Sequence, residues 1–540
     1  MNFFGKYFRL SFLFTTFVFI LSFCAFLYPS FNKVAFLTIL FLTLVLSLKE
    51  LEYGIYILLA ELFVGSKGYL FYFDFGETFL SLRIGLFLVI FIVWFLKLIL
   101  LSFRPKPALQ LVADGAGGVE KSHTSPDSAY EIPRQARDDK LTGLKGLFKK
   151  FKEGDKLTKL YGLLFVFIAW GFIWGIIRDN SFRNVFFDAN GWVYFMLIFP
   201  IIDVVKSKEQ VENILQILTA SVSIIVVKTF FLLYIFSHQM EPVARPLYRW
   251  LRKFLIGEIT LMDNGFHRIF FQSQIYVLIG FFIFLAILVW RWKDKDALKN
   301  FFKENWRLYL LTAGSFASIL ISFSRSFWIG VVAGVVALFV FLLIFKTSLK
   351  QFSKIILFGL SMIACSLLLI WITFMFPLPK TDSSFSFSSM FEDRLTDINE
   401  AAVRSRWDLL PPLGKAIVSH PIIGSGFGTT VTYKSSDPRA MEINPTGEFT
   451  TYAFEWGYLD IWLKIGLAGL LVYLYLIWLI LKGDWVSIKK SYSRALNAGL
   501  FIGMITLLAT NFFSPYLNHP LGIGYIMLCG VFIRKLDNYS

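Results

Sequence analysis

Apolar and polar residues fall in long alternating blocks along this chain. Fourteen apolar runs, at 11–28, 34–48, 52–66, 82–102, 159–177, 184–205, 211–237, 270–290, 307–323, 326–345, 354–376, 465–481, 495–512 and 518–533, are separated mostly by short polar connections. A helix needs roughly 17–25 apolar residues to cross the hydrocarbon core of a bilayer, so these runs predict membrane-spanning helices. The second and third are short and suit a hairpin that does not fully cross, which sets the expectation at 12–14 transmembrane helices. No run carries the period-two alternation of a lipid-facing strand. The predicted fold is all-α, a polytopic integral membrane protein with one large external loop.

Two connections break the rhythm. The first, 104–158, mixes charges with Pro105, Pro107, Gly115, Gly117 and Gly118 and has little apolar periodicity; it reads as a disordered linker ending in a basic stretch from Lys145 to Lys159. Within it, 132–140 resembles peptide encoded by repetitive elements in some bacterial genomes, a passenger without a catalytic role. The second, 377–464, is the long polar segment of the C-terminal half. The expected organisation is therefore N-terminal transmembrane helices (1–103), the linker, central transmembrane helices (159–376), the loop 377–464, and C-terminal transmembrane helices (465–540). No internal repeat with matching broken helices is visible, which argues against a transporter of the inverted-repeat type.

Composition agrees. Of the 540 residues 56% are hydrophobic and 17% charged, with a mean hydropathy of +0.64, against about 25% charged in soluble domains. The net charge of +16 does not imply nucleic acid, because lysine and arginine concentrate in short loops, as the positive-inside bias of cytoplasmic loops requires. With both termini and the loops at 206–208, 291–299, 346–354 and 482–494 placed inside, the loops at 178–183, 238–268, 324–325, 379–464 and 513–517 fall outside, and the alternation closes. Cys24, Cys365 and Cys529 lie in apolar runs without a CxxC spacing and read as packing. Gly171/Gly175 and Gly330/Gly334 have the spacing that lets membrane helices approach closely.

Charges on the outer side need a reason. An arginine at mid-bilayer costs roughly 2.5–3.5 kcal/mol even on the lenient insertion scale, so Arg325, between two apolar runs, is either a snorkelling anchor or an anion ligand in a wet cavity. Arg268, Arg178 and Arg183 share that side, and several guanidinium forks at one face suit a diphosphate. Asp460 and Lys464 stand four apart, the spacing of a helix pair. Glu455 has no such partner in the sequence; it is either a solvated helix start or a general base. Gly424, Gly426 and Gly428 turn the chain after an amphipathic stretch, 405–419; no Gly-Lys-Ser/Thr follows, which excludes a nucleotide loop. His420 and His519 stand apart from other candidate ligands, and no metal site or cofactor is expected.

Together these residues resemble the O-antigen ligase/polymerase superfamily. Arg406 stands fifteen residues before Pro421-Ile-Ile-Gly424-Ser-Gly426, like the family's arginine and its Pro-hydrophobic-hydrophobic-Gly-x-Gly turn. Ser324-Arg325-Ser-Phe-Trp-Ile-Gly330 is similar to the family's Ser-Arg-Gly-x-x-x-Gly. Arg268 with Gln272 and Gln274 resembles its arginine-led span entry, and Tyr458-Leu459 with Gly466 and Gly469 its Tyr-Leu-x(6)-Gly-x-x-Gly signature. The likeness covers about 160–534. Lipopolysaccharide ligases of the family carry His-Asn three residues before the Tyr-Leu; here the pair is Glu455-Trp456, which leans toward a polymerase, where acidic residues occur. The resemblance implies a metal-independent glycosyltransferase of the bacterial inner membrane, acting externally on undecaprenyl-diphosphate-linked glycan and an acceptor glycan or lipid among membrane lipids. It further implies Glu455 as base, Arg268 and Arg325 for the leaving diphosphate, and Arg406 as an orienting residue; Arg178 and Arg183, by their place on the outer side, are expected to contribute to substrate binding. Trp456, Tyr458 and Trp462 are aromatic candidates for sugar stacking, although aromatics at a membrane interface are expected anyway. A lipid-linked oligosaccharide flippase is the alternative of another class.

Overall fold

The computed structural model describes residues 2–74, 79–103, 155–262, 265–292, 298–345, 348–376, 401–435, 441–442, 444–490 and 494–536. The linker expected at 104–158 lies outside the described residues up to 154, and so does the first part of the large loop, 377–400.

The chain opens with helices α1 (Lys6–Leu27), α2 (Pro29–Lys49) and α3 (Leu51–Val64), strands β1 (Tyr72–Asp74) and β2 (Phe79–Ser81), and helix α4 (Leu82–Phe103). Then come α5 (Lys156–Ile177), α6 (Phe182–Val193), a tight turn at Tyr194–Leu197, α7 (Ile198–Val204), α8 (Lys208–Ser237) and α9 (Glu241–Lys253). Strands β3 (Glu258–Leu261) and β4 (His267–Phe270) lead into α10 (Gln274–Arg291), α11 (Leu298–Ile321), α12 (Arg325–Ile344) and α13 (Leu349–Met375). The last part holds α14 (Ala401–Ser419), β5 (Val431–Lys434), β6 (Glu448–Thr451), α15 (Gly457–Lys490), α16 (Arg494–Thr510) and α17 (Pro520–Leu536). Each strand pair is a separate antiparallel hairpin.

Every expected span corresponds to helix, and the protein is an all-α, multi-pass membrane protein. Among the described residues ten helices are long and apolar enough to cross, and α16 and α17 are shorter apolar helices. The expected third span is α3, whose 14 residues, mostly buried in protein, rise ~21 Å at about 1.5 Å per residue. The span expected at 184–205 is interrupted between α6 and α7. The span expected at 159–177 begins at Lys156, where Asp155 caps the Thr158 N–H at 3.0 Å.

A helix apolar all round is either central or wrapped in lipid, and both kinds occur. In α10 89% of the spanning window is buried, against 22–33% in α1, α2, α5, α12 and α13. Helix α10 is thus the hub, packed on α8, α11 and α16. Gly330 and Gly334 of α12 allow its approach to α16: a Cβ on Gly330 would meet Thr510 Oγ1 at 2.6 Å.

The connection at 238–268, expected as a loop, contains α9 and the β3–β4 hairpin. Ala244, Leu247, Trp250 and Leu251 form the buried stripe of α9, a short amphipathic period set among arginines. All three hairpins lie in connections that the span count assigns to one side. Residues of these connections also approach one another: Tyr72 packs on Phe254 at 5.6 Å, and the segments 67–69 and 452–454 wall one cavity with Asn518 and His519.

Candidate active site

Helix α14 brings Arg406 to the start of α15, where Arg406 Nε donates to Glu455 Oε2 in an ion pair. The pair is partly open to solvent, with side chains 33% and 53% exposed. This corrects the expectation that Glu455 has no partner nearby; its partner is 49 residues back along the chain. Trp456 locks the same junction: its Nε1–H donates to the Arg406 carbonyl at 3.0 Å, and its ring meets Trp407 edge-on at 5.5 Å and Phe513 at 5.1 Å.

Phe513 belongs to the connection at 511–519, which ties the remaining candidates together. Ser514 Oγ hydrogen-bonds Ser326 Oγ at 2.9 Å, beside Arg325 at the start of α12. Tyr516 donates its hydroxyl to the Gln272 carbonyl at 3.2 Å, four residues after Arg268. Arg268 Nε in turn donates to the Ser322 carbonyl at 2.9 Å, three residues before Arg325. The segments that carry Trp456, Arg268 and Arg325 are therefore each tied to one connection, and Arg406 and Glu455 pair beside Trp456. Tyr458 is placed differently. Its hydroxyl donates to the Leu508 carbonyl at 2.8 Å and its ring packs on Phe512 at 4.8 Å, so this residue joins α15 to α16. Arg178 lies against the His420 ring at 3.1 Å, next to the glycine turn, and Arg183 over Phe187 at 6.0 Å; neither is brought into contact with Glu455 by a described hydrogen bond or ion pair.

That turn is built on a kink. Gly466 interrupts α15 with φ +74° and ψ 172°, and so releases carbonyls that a continuous helix would use. The 424–428 turn occupies them: Ser425 N–H donates to the Leu463 carbonyl at 2.6 Å and Gly426 N–H to that of Lys464 at 3.0 Å. Gly424, Gly426 and Gly428 all have positive φ, as expected of a sharp turn pressed against other backbone. Leu467 N–H and the Trp462 indole both donate to the Pro421 carbonyl, at 2.9 and 2.8 Å.

Beneath the turn lies a buried charge cluster. Lys464 Nζ sits 2.6 Å from Asp188 Oδ1 and 2.7 Å from Asp460 Oδ1, the latter being the expected i,i+4 pair. Asn518 donates to Asp460, and Gly428 N–H donates to Asp188 Oδ2 at 2.7 Å. Isolated buried charges are very costly unless paired and hydrogen-bonded; here each has partners. Sequence reasoning missed Asp188. The available signal was a carboxylate inside the apolar run 184–205, a position that is rarely without function.

Nearby, burial together with the charges of Arg83 and Lys67 pushes the His519 imidazole down to about 3, so it is neutral near pH 7. Burial, then Asp188, raises the Tyr452 phenol. Among the described residues no group of three or more His, Cys, Asp or Glu is placed to hold a metal ion.

No curated protein matches the chain. Residues 308–474 match the family model described as O-Antigen ligase, a stretch that runs from α11 through Arg325, Arg406, Glu455 and Lys464 into α15. That match, over this segment of the chain, supports the resemblance to the O-antigen ligase/polymerase superfamily.

Proposed function

We propose that the protein is a glycosyltransferase of the bacterial inner membrane that moves an oligosaccharide from undecaprenyl diphosphate to an acceptor sugar hydroxyl at the external face, acting as an O-antigen or exopolysaccharide polymerase. One observation carries the reading. A partly exposed carboxylate, Glu455, is held by Arg406 beside the 511–519 connection, to which the segments carrying Arg268 and Arg325 are also tied. A single displacement needs a base on one side of the anomeric carbon and cations on the other. The acceptor oxygen bonds to that carbon as the bond to the diphosphate oxygen breaks, its electrons leaving with the diphosphate. Glu455 takes the hydroxyl proton, a contribution of about 10²–10⁴ in rate. The leaving group is already ionised, so it needs charge stabilisation from Arg268 and Arg325 rather than a proton. Arg406 orients the carboxylate, and Trp456 offers its ring to the glycan.

A second reading, a ligase that passes finished glycan to a different acceptor, has in its favour the description of the matched family. Purified protein in liposomes with lipid-diphosphate-linked oligosaccharide separates the two on a product gel. A ladder in the wild type, lost in Glu455→Gln, is the expected result. A single transfer product that requires an added acceptor establishes the ligase. Absence of any new glycosidic bond overturns both and leaves a flippase, for which vesicle translocation of the same lipid is the assay.

A further inference from the structure

A cavity of about 310 Å³ opens between the start of α4, α6 and the start of α15, at the lower end of the ~300–1,000 Å³ typical of small-molecule sites. Its wall includes Ala453 and Phe454, the two residues that precede Glu455 in the chain.

The lining specifies the chemistry of that occupant. Its internal charges are paired within the protein: Arg83 holds Glu61 through two hydrogen bonds of 2.9 and 3.1 Å, and Lys464 is shared between two aspartates. Those two aspartates leave one negative charge over, and Lys67, exposed at the rim, offsets it. A site with no net positive charge is poorly suited to phosphate. The rings of Tyr69, Phe187 and Tyr452 and the amides of Asn190 and Asn518 also line it. Aromatic faces match the C–H faces of a pyranose, and an amide both donates to and accepts from hydroxyls. A further feature calls for a partner. Tyr194 is 4% exposed and lines the cavity, and its hydroxyl has no hydrogen-bond partner among the described residues. Buried polar groups left unpaired are rare in folded proteins.

We propose that this cavity is a subsite for an uncharged pyranose of the acceptor glycan, in which the Tyr194 hydroxyl bonds to a sugar hydroxyl. The neighbouring sugar then presents its own hydroxyl to Glu455. This rests on the glycosyltransferase reading and narrows the acceptor to a glycan with a neutral sugar near its reacting end.

Two measurements test it on the full chain. In the liposome assay, Tyr194→Phe raises the acceptor KM by about tenfold, the weight of one good hydrogen bond, with kcat and the donor KM unchanged. An unchanged acceptor KM overturns the subsite while leaving the enzyme reading intact. Binding is read separately, without catalysis, by saturation-transfer NMR on detergent-solubilised protein with uncharged methyl glycosides of glucose, galactose and N-acetylglucosamine. Transfer to at least one glycoside is expected, weakened in both Tyr194→Phe and Tyr69→Ala, retained in Tyr248→Ala on α9, and not displaced by inorganic phosphate. Transfer that is insensitive to both cavity variants, or displaced by phosphate, overturns the proposal. Cavity-dependent glycoside binding in a protein that forms no glycosidic bond supports the sugar subsite and sinks the transferase reading instead.

Discussion

Arg268 is fixed by the Ser322 carbonyl at 2.9 Å, three residues before Arg325 in the chain. If they stabilise the departing diphosphate, Arg268→Gln and Arg325→Gln each lower kcat by about 10²–10³, or roughly 2.7–4 kcal/mol, with the acceptor KM unchanged. Steady-state kinetics with donor and acceptor varied separately checks this; a rise confined to the acceptor KM removes the arginines from the donor site. Gly466 makes a second prediction at this scale. A Cβ there would meet the Ile422 carbonyl oxygen at 2.1 Å in a backbone with φ +74° and ψ 172°, an essentially glycine-only conformation that costs other residues about 1–3 kcal/mol. Gly466→Ala is therefore expected to lower the melting temperature in detergent and to abolish activity, because the carbonyls that hold the 424–428 turn move; wild-type melting and activity would refute the role given to the kink. The glycines of this turn were legible from spacing alone. The kink they rest on was not, since Gly466 looks like any glycine opening an apolar run.

At the scale of elements, the Asp188–Lys464–Asp460 cluster joins α6, the glycine turn and the first turns of α15, and Asn518 ties in the connection before α17. Removing the cation strands two buried carboxylates. Lys464→Met is expected to cost about 3–5 kcal/mol, the usual result of breaking a buried pair from one side, read as a lower melting temperature. The triple variant Lys464→Met with Asp188→Asn and Asp460→Asn recovers much of that loss, because no unpaired charge remains. A single variant as stable as wild type shows that the cluster does not hold these elements together. The pairing of Asp460 with Lys464 follows from i,i+4 geometry and was readable in the sequence. That of Asp188 was not, because nothing local relates α6 to α15.

At the scale of the whole molecule, His519, in the connection before α17, lies near Arg83 and Lys67 from the N-terminal part of the chain. Its imidazole is pushed down to about 3 from an ordinary 6.5, first by burial and then by Arg83 and Lys67. Between those values the unfolded chain binds a proton that the folded protein does not, so stability falls as pH drops through about 6.5. Wild type is expected to melt at a lower temperature at about pH 5 than at about pH 7.5. His519→Asn, which keeps an acceptor for the Leu521 N–H that His519 Nδ1 binds at 3.3 Å, shows a shallower dependence. Identical pH profiles for the two proteins exclude His519 as a source of the acid sensitivity.

The placing of the apolar helices and the sharp glycine turn were set by the sequence alone. The reason is that backbone desolvation and apolar length act within one segment, since a run of about 20 apolar residues spans a bilayer whatever its neighbours do. Arg268, Arg325, Arg406 and Glu455 were also visible there as charges near membrane edges. Which charge faces which was decided only by tertiary structure. Glu455 meets Arg406 across 49 positions and Lys464 meets Asp188 across 276, and Tyr194 reaches the cavity only because α4, α6 and α15 converge. A pairwise contact between side chains falls off within a few ångströms, so it depends on how distant helices pack, and no local pattern along the chain encodes that.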